Sequence, residues 1–326
     1  MLGAQHNCFC DLANSSSPDK LWLWPLNGSR CKLVAMIKPV KNLLILGCGY
    51  VGERLAQHCL QQGIAVIATT RCADRAAQLE NSGIKAVVAE TPADLPDNLL
   101  ASVDGVIDSI PLSRSEQGMS ASQTQWLPAT SAKLLNVKWA AYLSTTGVYG
   151  DAGGAWVDEE YVCHPTSARG TQRLVAEQCW LQSGLPAEVF RIAGIYGPER
   201  NIFARLQAGD YKAVTWQPPH YSSRIHVDDI VAAVMVAMQK PRAGRIVNLA
   251  DDEPLPHADY VTALAGLIGA PAPLLLSEQE GEGQLSPMVL EFFRDNKRVS
   301  NHLLHAELLP QLKYPSFRDA VADLLC

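Results

Sequence analysis

Between Asn42 and Arg71, two apolar runs flank a glycine-rich turn, and no other stretch limits the possible folds as strongly. Leu43-Leu44-Ile45-Leu46 has the composition of a strand buried on both faces. Gly47-Cys48-Gly49-Tyr50-Val51-Gly52 follows at once. Val51, Leu55 and Cys59 recur at helical spacing, Gly63 sits where a C-cap glycine would, and Ile64 to Ala68 reads as a second buried strand. The G-x-G-x-x-G therefore lies at a strand-to-helix turn inside a βαβ unit of about 30 residues, the setting in which it signifies a dinucleotide site. Gly47 permits the tight turn, Gly49 lets a pyrophosphate approach bare backbone, and Gly52 lets the helix pack close to the strand. Tyr50 and Val51 open that helix, whose free N–H groups and positive dipole end suit phosphates. Cys48 is read as a small filler in the turn.

The end of the second strand selects the cofactor. An acidic residue there holds a ribose 2′-hydroxyl, whereas an arginine accommodates a 2′-phosphate. Here the strand runs out into Thr69-Thr70-Arg71, with Arg75 one helical turn on and Asp74 three residues too late for the usual carboxylate. The pattern predicts NADP(H) over NAD(H), with Arg71 as the selecting residue; the competing reading is a solvated surface arginine.

Strand and helix patterns then alternate. Strands are expected at Ala86–Ala89, Gly105–Ile110, Trp139–Ser144, Glu188–Ile192 and Arg245–Leu249, with helices over Ser122–Leu135, Thr166–Gln182 and the residues after His226. This succession predicts an α/β fold with a doubly wound parallel sheet and its ligand crevice at the carboxyl ends of the strands. Ser109, Ile110, Ser144, Thr145, Thr146, Gly194 and Tyr196 lie just beyond those ends and are candidates for the site. Ser109, Ile110, Ser144 and Tyr196 are assigned to the cofactor. Asp108 faces the same crevice and is given no role.

Four ordered motifs carry a family resemblance: the glycine turn, Leu143-Ser144-Thr145-Thr146-Gly147-Val148-Tyr149-Gly150, Arg191-Ile192-Ala193-Gly194-Ile195-Tyr196-Gly197-Pro198, and Arg224-Ile225-His226-Val227-Asp228-Asp229-Ile230. From about Asn42 onward the chain resembles the extended short-chain dehydrogenase/reductases, and within them the atypical, YeeZ-like epimerase/dehydratase branch. The resemblance implies a Rossmann-type domain over residues 40–193 plus 222–250 and a smaller substrate-binding domain over 194–221 plus 251–326. It implies hydride transfer on a small polar substrate, with sugar derivatives in view, and family members are often homodimers.

Such enzymes combine a Ser or Thr with Tyr-x-x-x-Lys, the Tyr serving as acid/base and the Lys lowering its pKa. Thr145 falls on the Ser/Thr position. The Tyr and Lys positions are occupied by Arg169 and Arg173, which stay protonated at neutral pH and shuttle protons poorly. The two arginines are expected to hold anionic groups of substrate or cofactor, with a solvated helix residue the equal alternative for Arg169. Tyr149, Tyr161 and Tyr196 are the substitutes considered for the proton donor. Thr146-Gly147 replace the Asp-Glu of a dehydratase, which argues against nucleotide-sugar dehydration by the usual route. A protein that binds NADP(H) as a sensor and no longer catalyses is the rival reading.

The remaining sequence sets bounds. A net charge of −6 with no long basic run argues against a nucleic-acid partner, and no apolar run is long enough to span a bilayer. Nine cysteines at irregular spacing, without C-x-x-C, suit a reducing cytoplasm. No His/Asp/Glu set has metal-ligand spacing, and no metal is expected. Residues 1–39 do not resemble the rest: Met1–Ala35 is expected to be a poorly ordered extension, or a start assigned too early, with Met36 the natural one. Asp228 and Asp229 are read as helix-capping charges, His226 as a hydrogen-bonded core residue, and the acidic run Glu278–Glu282 as a solvated loop. Arg200 and Lys297 are possible anion contacts for which surface exposure is the favoured fate.

Overall fold

Seven parallel strands form the central sheet: β1 (Asn42–Leu46), β2 (Ala65–Thr70), β3 (Lys85–Val88), β4 (Gly105–Asp108), β5 (Trp139–Thr145), β6 (Ala187–Ile192) and β7 (Ile246–Leu249). Their order across the sheet is β7-β6-β5-β4-β1-β2-β3. The computed structural model describes residues 39–325 except 116–117, 287–289, 291–292 and 294. The expected extension, Met1–Ala35, lies outside the described residues. Val40–Cys326 form one compact unit.

Strand order reverses between β1 and β4, so their carboxyl ends diverge and open a crevice. Successive side chains of β1 point to opposite faces. Leu43 and Ile45 enter one core with Leu55 and Cys59 of α1 (Tyr50–Gln61), while Leu44 and Leu46 enter another with Trp126 and Trp180. Both faces are covered, which is why the strand is a continuous apolar run. Full burial of each such leucine contributes about 1.5–3 kcal/mol.

Among the described residues the further α-helices include α2 (Ala73–Asn81), α3 (Asp97–Ser102), α4 (Gln123–Ser131), α5 (Ala168–Leu181), α6 (Phe203–Gln207), α7 (Val227–Gln239), α8 (His257–Leu267) and α9 (Glu278–Gln284), followed by His302–Glu307 and Phe317–Leu325. Short strands Gly194–Tyr196 and Arg224–His226 pair in parallel beyond the sheet. Tyr196, Phe203, Tyr260 and Phe317 belong to a core separate from those of the sheet. Among the described residues no helix is long and apolar enough to cross a membrane.

Two local expectations are corrected and one, for Asp229 in the first turn of the helix after His226, is extended. Glu278–Glu282 is helical, because Ser277 and Glu280 form a capping box at the start of α9. Asp229 is buried and its carboxylate accepts from the Lys313 and Tyr314 N–H groups, so it fastens the carboxyl-terminal segment. Lys297 is buried, with Nζ donating to the Gly150 carbonyl at 2.9 Å.

Candidate active site

The glycine turn is shaped by contacts that side chains would spoil. Gly47 has φ +74°, and a Cβ there would meet the Ile110 Cα at 3.0 Å. Gly47 N–H donates to Thr69 Oγ1 and Cys48 N–H to Thr69 O, each at 3.1 Å, which ties the turn to β2. A Cβ on Gly49 would meet nothing within 4 Å, so open space lies against the backbone at the start of α1. The first-turn N–H groups, from Tyr50 to Gly52, have no carbonyl one turn back within the helix. This cradle fits a pyrophosphate. Burial pushes the Cys48 thiol up to about 12, so it is a packed neutral group.

Arg71 stands exposed just past β2, 3.7 Å from Glu90. Arg75 is taken by Glu53 at 2.6 Å. Ser109 and Ile110, both half-buried, follow β4. Asp108, at the end of β4, organises this exit. Its buried carboxylate accepts from Ile110 N–H (2.9 Å), Gln123 Nε2 (2.8 Å) and Trp180 Nε1 (2.7 Å), joining β4 to α4 and α5. Burial pushes its pKa up, and these donors oppose that rise.

Thr145 ends β5, and its Oγ1 accepts from Gly147 N–H at 3.2 Å. The first turn of α5 presses on the turn that follows. A Cβ on Gly170 would lie 2.7 Å from Gly147 O, and Ser167 caps the helix by accepting from Gly170 N–H. Arg169, the residue before Gly170, is exposed, and its guanidinium has no hydrogen-bond or ion-pair partner among the described residues. One helical turn on, Arg173 Nη1 donates to Tyr142 Oη at 2.8 Å and to Leu143 O at 3.4 Å.

Two expected cofactor contacts, Ser144 and Tyr196, are buried. Ser144 Oγ donates to Glu177 Oε1 at 2.6 Å, and Arg191 grips the same carboxylate at 2.8–3.2 Å. Arg191 also lies 4.8 Å from the centroid of the Tyr149 ring, and Tyr149 Oη donates to Asn248 Oδ1 at 2.6 Å. Burial pushes the Tyr149 and Tyr196 phenols up, and neither can serve readily as a proton shuttle. Tyr161 is the exposed one of the three candidate tyrosines. The buried network linking Ser144, Glu177, Arg191, Tyr149 and Asn248 had no local sequence signal beyond its polar residues.

A family model described as the NAD dependent epimerase/dehydratase family matches residues 43–250. Protein YeeZ of Escherichia coli K12 is 26% identical over 278 residues, covering 81% of this chain and 94% of that protein. The solved structure of a functionally unknown conserved protein from Silicibacter pomeroyi is 35% identical, with a TM-score of 0.79 over 87% of this chain and 98% of that one. UDP-N-acetylglucosamine 4-epimerase from Bacillus cereus shares the fold at 18% identity, with a TM-score of 0.66 over 87% of this chain and 97% of that one. The matched stretch runs from β1 through β7 and includes the glycine turn, Thr145, Arg169 and Arg173. The chain belongs to the NAD dependent epimerase/dehydratase family.

Proposed function

We propose that the protein is an epimerase-like oxidoreductase that prefers NADP(H) and transfers hydride on a small polar, sugar-derived substrate bearing an anionic group. The observation that carries this reading is the seating of α5 on the turn after Thr145, with the exposed, unpaired Arg169 one residue before the contact at Gly170. When bound, the cofactor gives or accepts the hydride. Gly47, Gly49, Tyr50, Val51 and Gly52 hold its pyrophosphate, and Arg71 meets the 2′-phosphate. Thr145 Oγ1 already accepts a hydrogen bond from Gly147, which leaves its own proton to donate to a substrate oxygen. Arg169 grips a carboxylate or phosphate in a two-pronged pair and moves no proton. Arg173 braces the β5 exit through Leu143 O. Tyr161 is the proton donor, since Tyr149 and Tyr196 are buried.

The burial of those two phenols also favours a second reading, a protein that binds NADP(H) without turnover. Purified protein mixed with NADPH and carbonyl compounds, and with NADP⁺ and sugar alcohols, separates the two. Turnover abolished by Thr145→Ala supports the enzyme. Tight NADPH binding with no turnover across the panel supports the sensor.

A further inference from the structure

Tyr50 is the residue after Gly49, in the first turn of α1, and it touches a segment far along the chain. Its hydroxyl donates to Pro198 O at 2.7 Å. Arg54 lies over the Tyr50 ring at 3.8 Å, donates Nη1 to Tyr50 O at 3.2 Å and reaches Pro198 O with Nη2 at 3.5 Å. Arg200 approaches the same ring at 5.5 Å. A Cβ on Gly197 would come within 2.6 Å of Tyr50 Oη and 2.7 Å of Val227 Cγ1, so only glycine lets the segment pass this close.

The segment is bent in a way that serves this contact. Gly197 and Arg200 exchange main-chain hydrogen bonds in both directions at 3.1 Å, closing a turn around Pro198 and Glu199. Glu199 has φ +63°, and it is the one non-glycine residue with positive φ among the described residues. Proline in the second place and a left-handed residue in the third mark a type II turn, where glycine is usual in the third place. Type II differs from type I by a flip of the central peptide, and the oxygen of that peptide is Pro198 O. A strained glutamate thus accompanies an acceptor aimed at Tyr50, and strain of this kind concentrates where structure serves a task.

We propose that Tyr50 is a latch, a positioning residue that fastens the turn at 197–200 to the dinucleotide-binding helix, so that cofactor departs only after the bond to Pro198 opens. The latch joins the phosphate cradle to the segment that leads into α6. It rests on the cofactor reading given above.

The test is stopped-flow release of NADPH, followed by its fluorescence, from the full chain and from Tyr50→Phe and Glu199→Gly. It is paired with hydrogen exchange of residues 197–201 in the cofactor-free protein. Phenylalanine keeps the ring and its stack on Arg54 and removes only the hydroxyl. Tyr50→Phe is expected to release NADPH roughly 5-fold faster, the worth of one ordinary hydrogen bond, with its association rate little changed. Its 197–201 amides exchange faster even without cofactor. Glu199→Gly, which suits the turn, is expected to release as slowly as the parent. A Tyr50→Phe protein with parental release and exchange overturns the latch and leaves cofactor binding intact. A parent protein that binds neither coenzyme overturns the cofactor reading on which the latch rests.

Discussion

Gly170 rests on Gly147: a Cβ added to the first would stand 2.7 Å from the carbonyl oxygen of the second, and 2.8 Å from Pro165 Cβ. Helix α5 can approach the turn after Thr145 this closely only because Gly170 lacks a side chain. Gly170→Ala must push them apart. The expected cost is about 1–3 kcal/mol in urea unfolding, the usual range for overpacking. NADPH affinity should change less than kcat/KM, because the phosphate cradle lies on β1 and α1.

The pair Arg191–Glu177 is buried at 2.8 Å, with side chains 5% and 1% exposed. Glu177→Ala would strand the arginine charge in the interior and leave Ser144 Oγ without its acceptor. A loss of about 3–5 kcal/mol in denaturant unfolding is expected, with Glu177→Gln milder. A change under about 1 kcal/mol, the range of exposed pairs, would contradict the structural role assigned to this carboxylate.

His257 lines a cavity of about 500 Å³ together with Arg205, Tyr211, Lys212 and Phe293. Burial pushes its pKa down to about 3, aided by the charges of Arg224, His220 and Arg205. The unfolded chain therefore binds a proton that the folded chain refuses, over the interval from about pH 6.5 down to about 3. Stability from this group is complete above pH 7 and falls with pH through that window. Because His257 is only partly shielded at the cavity wall, about 1–2 kcal/mol is expected to be lost by about pH 5. His257→Gln should flatten that part of the stability–pH curve, measured by urea unfolding at a series of pH values.

Arg71 and Glu90 are both exposed, 67% and 74%, and their 3.7 Å pair contributes little to stability. Arg71→Ala should leave the fold unchanged and weaken NADPH binding roughly tenfold, about 1.4 kcal/mol, with NADH unaffected. Equal losses for both coenzymes would assign Arg71 a role other than reading the 2′-phosphate.

The sheet was readable because each strand carries its own signal. The run Leu43 to Leu46 is apolar on both faces, and the glycines that follow mark where strand yields to helix. The positions of Thr145, Arg169 and Arg173 followed from counting along motifs, since strand ends and helical spacing are local properties. Side-chain direction and long-range pairing were not readable. Ser144 and Thr145 are neighbours on β5, yet alternation turns the first toward Glu177, 33 residues away. Lys297 looked like a surface cation, but its partner is a main-chain carbonyl 147 residues away. Tyr50 and Pro198 are separated by 148 residues, and nothing near either one announces the contact.

Calorimetric titration of NADPH and NADH into the parent protein and into Gly49→Ala tests the central claim most directly. A Cβ at position 49 meets nothing within 4 Å, and φ there is −96°, so alanine fits the cofactor-free fold and disturbs only what lies against that backbone. The parent should bind NADPH more tightly than NADH, and Gly49→Ala, with an unchanged melting temperature, should bind both at least about tenfold more weakly. No heat from either coenzyme with folded parent protein, or equal affinity in parent and variant, would contradict a pyrophosphate seated on the turn between β1 and α1.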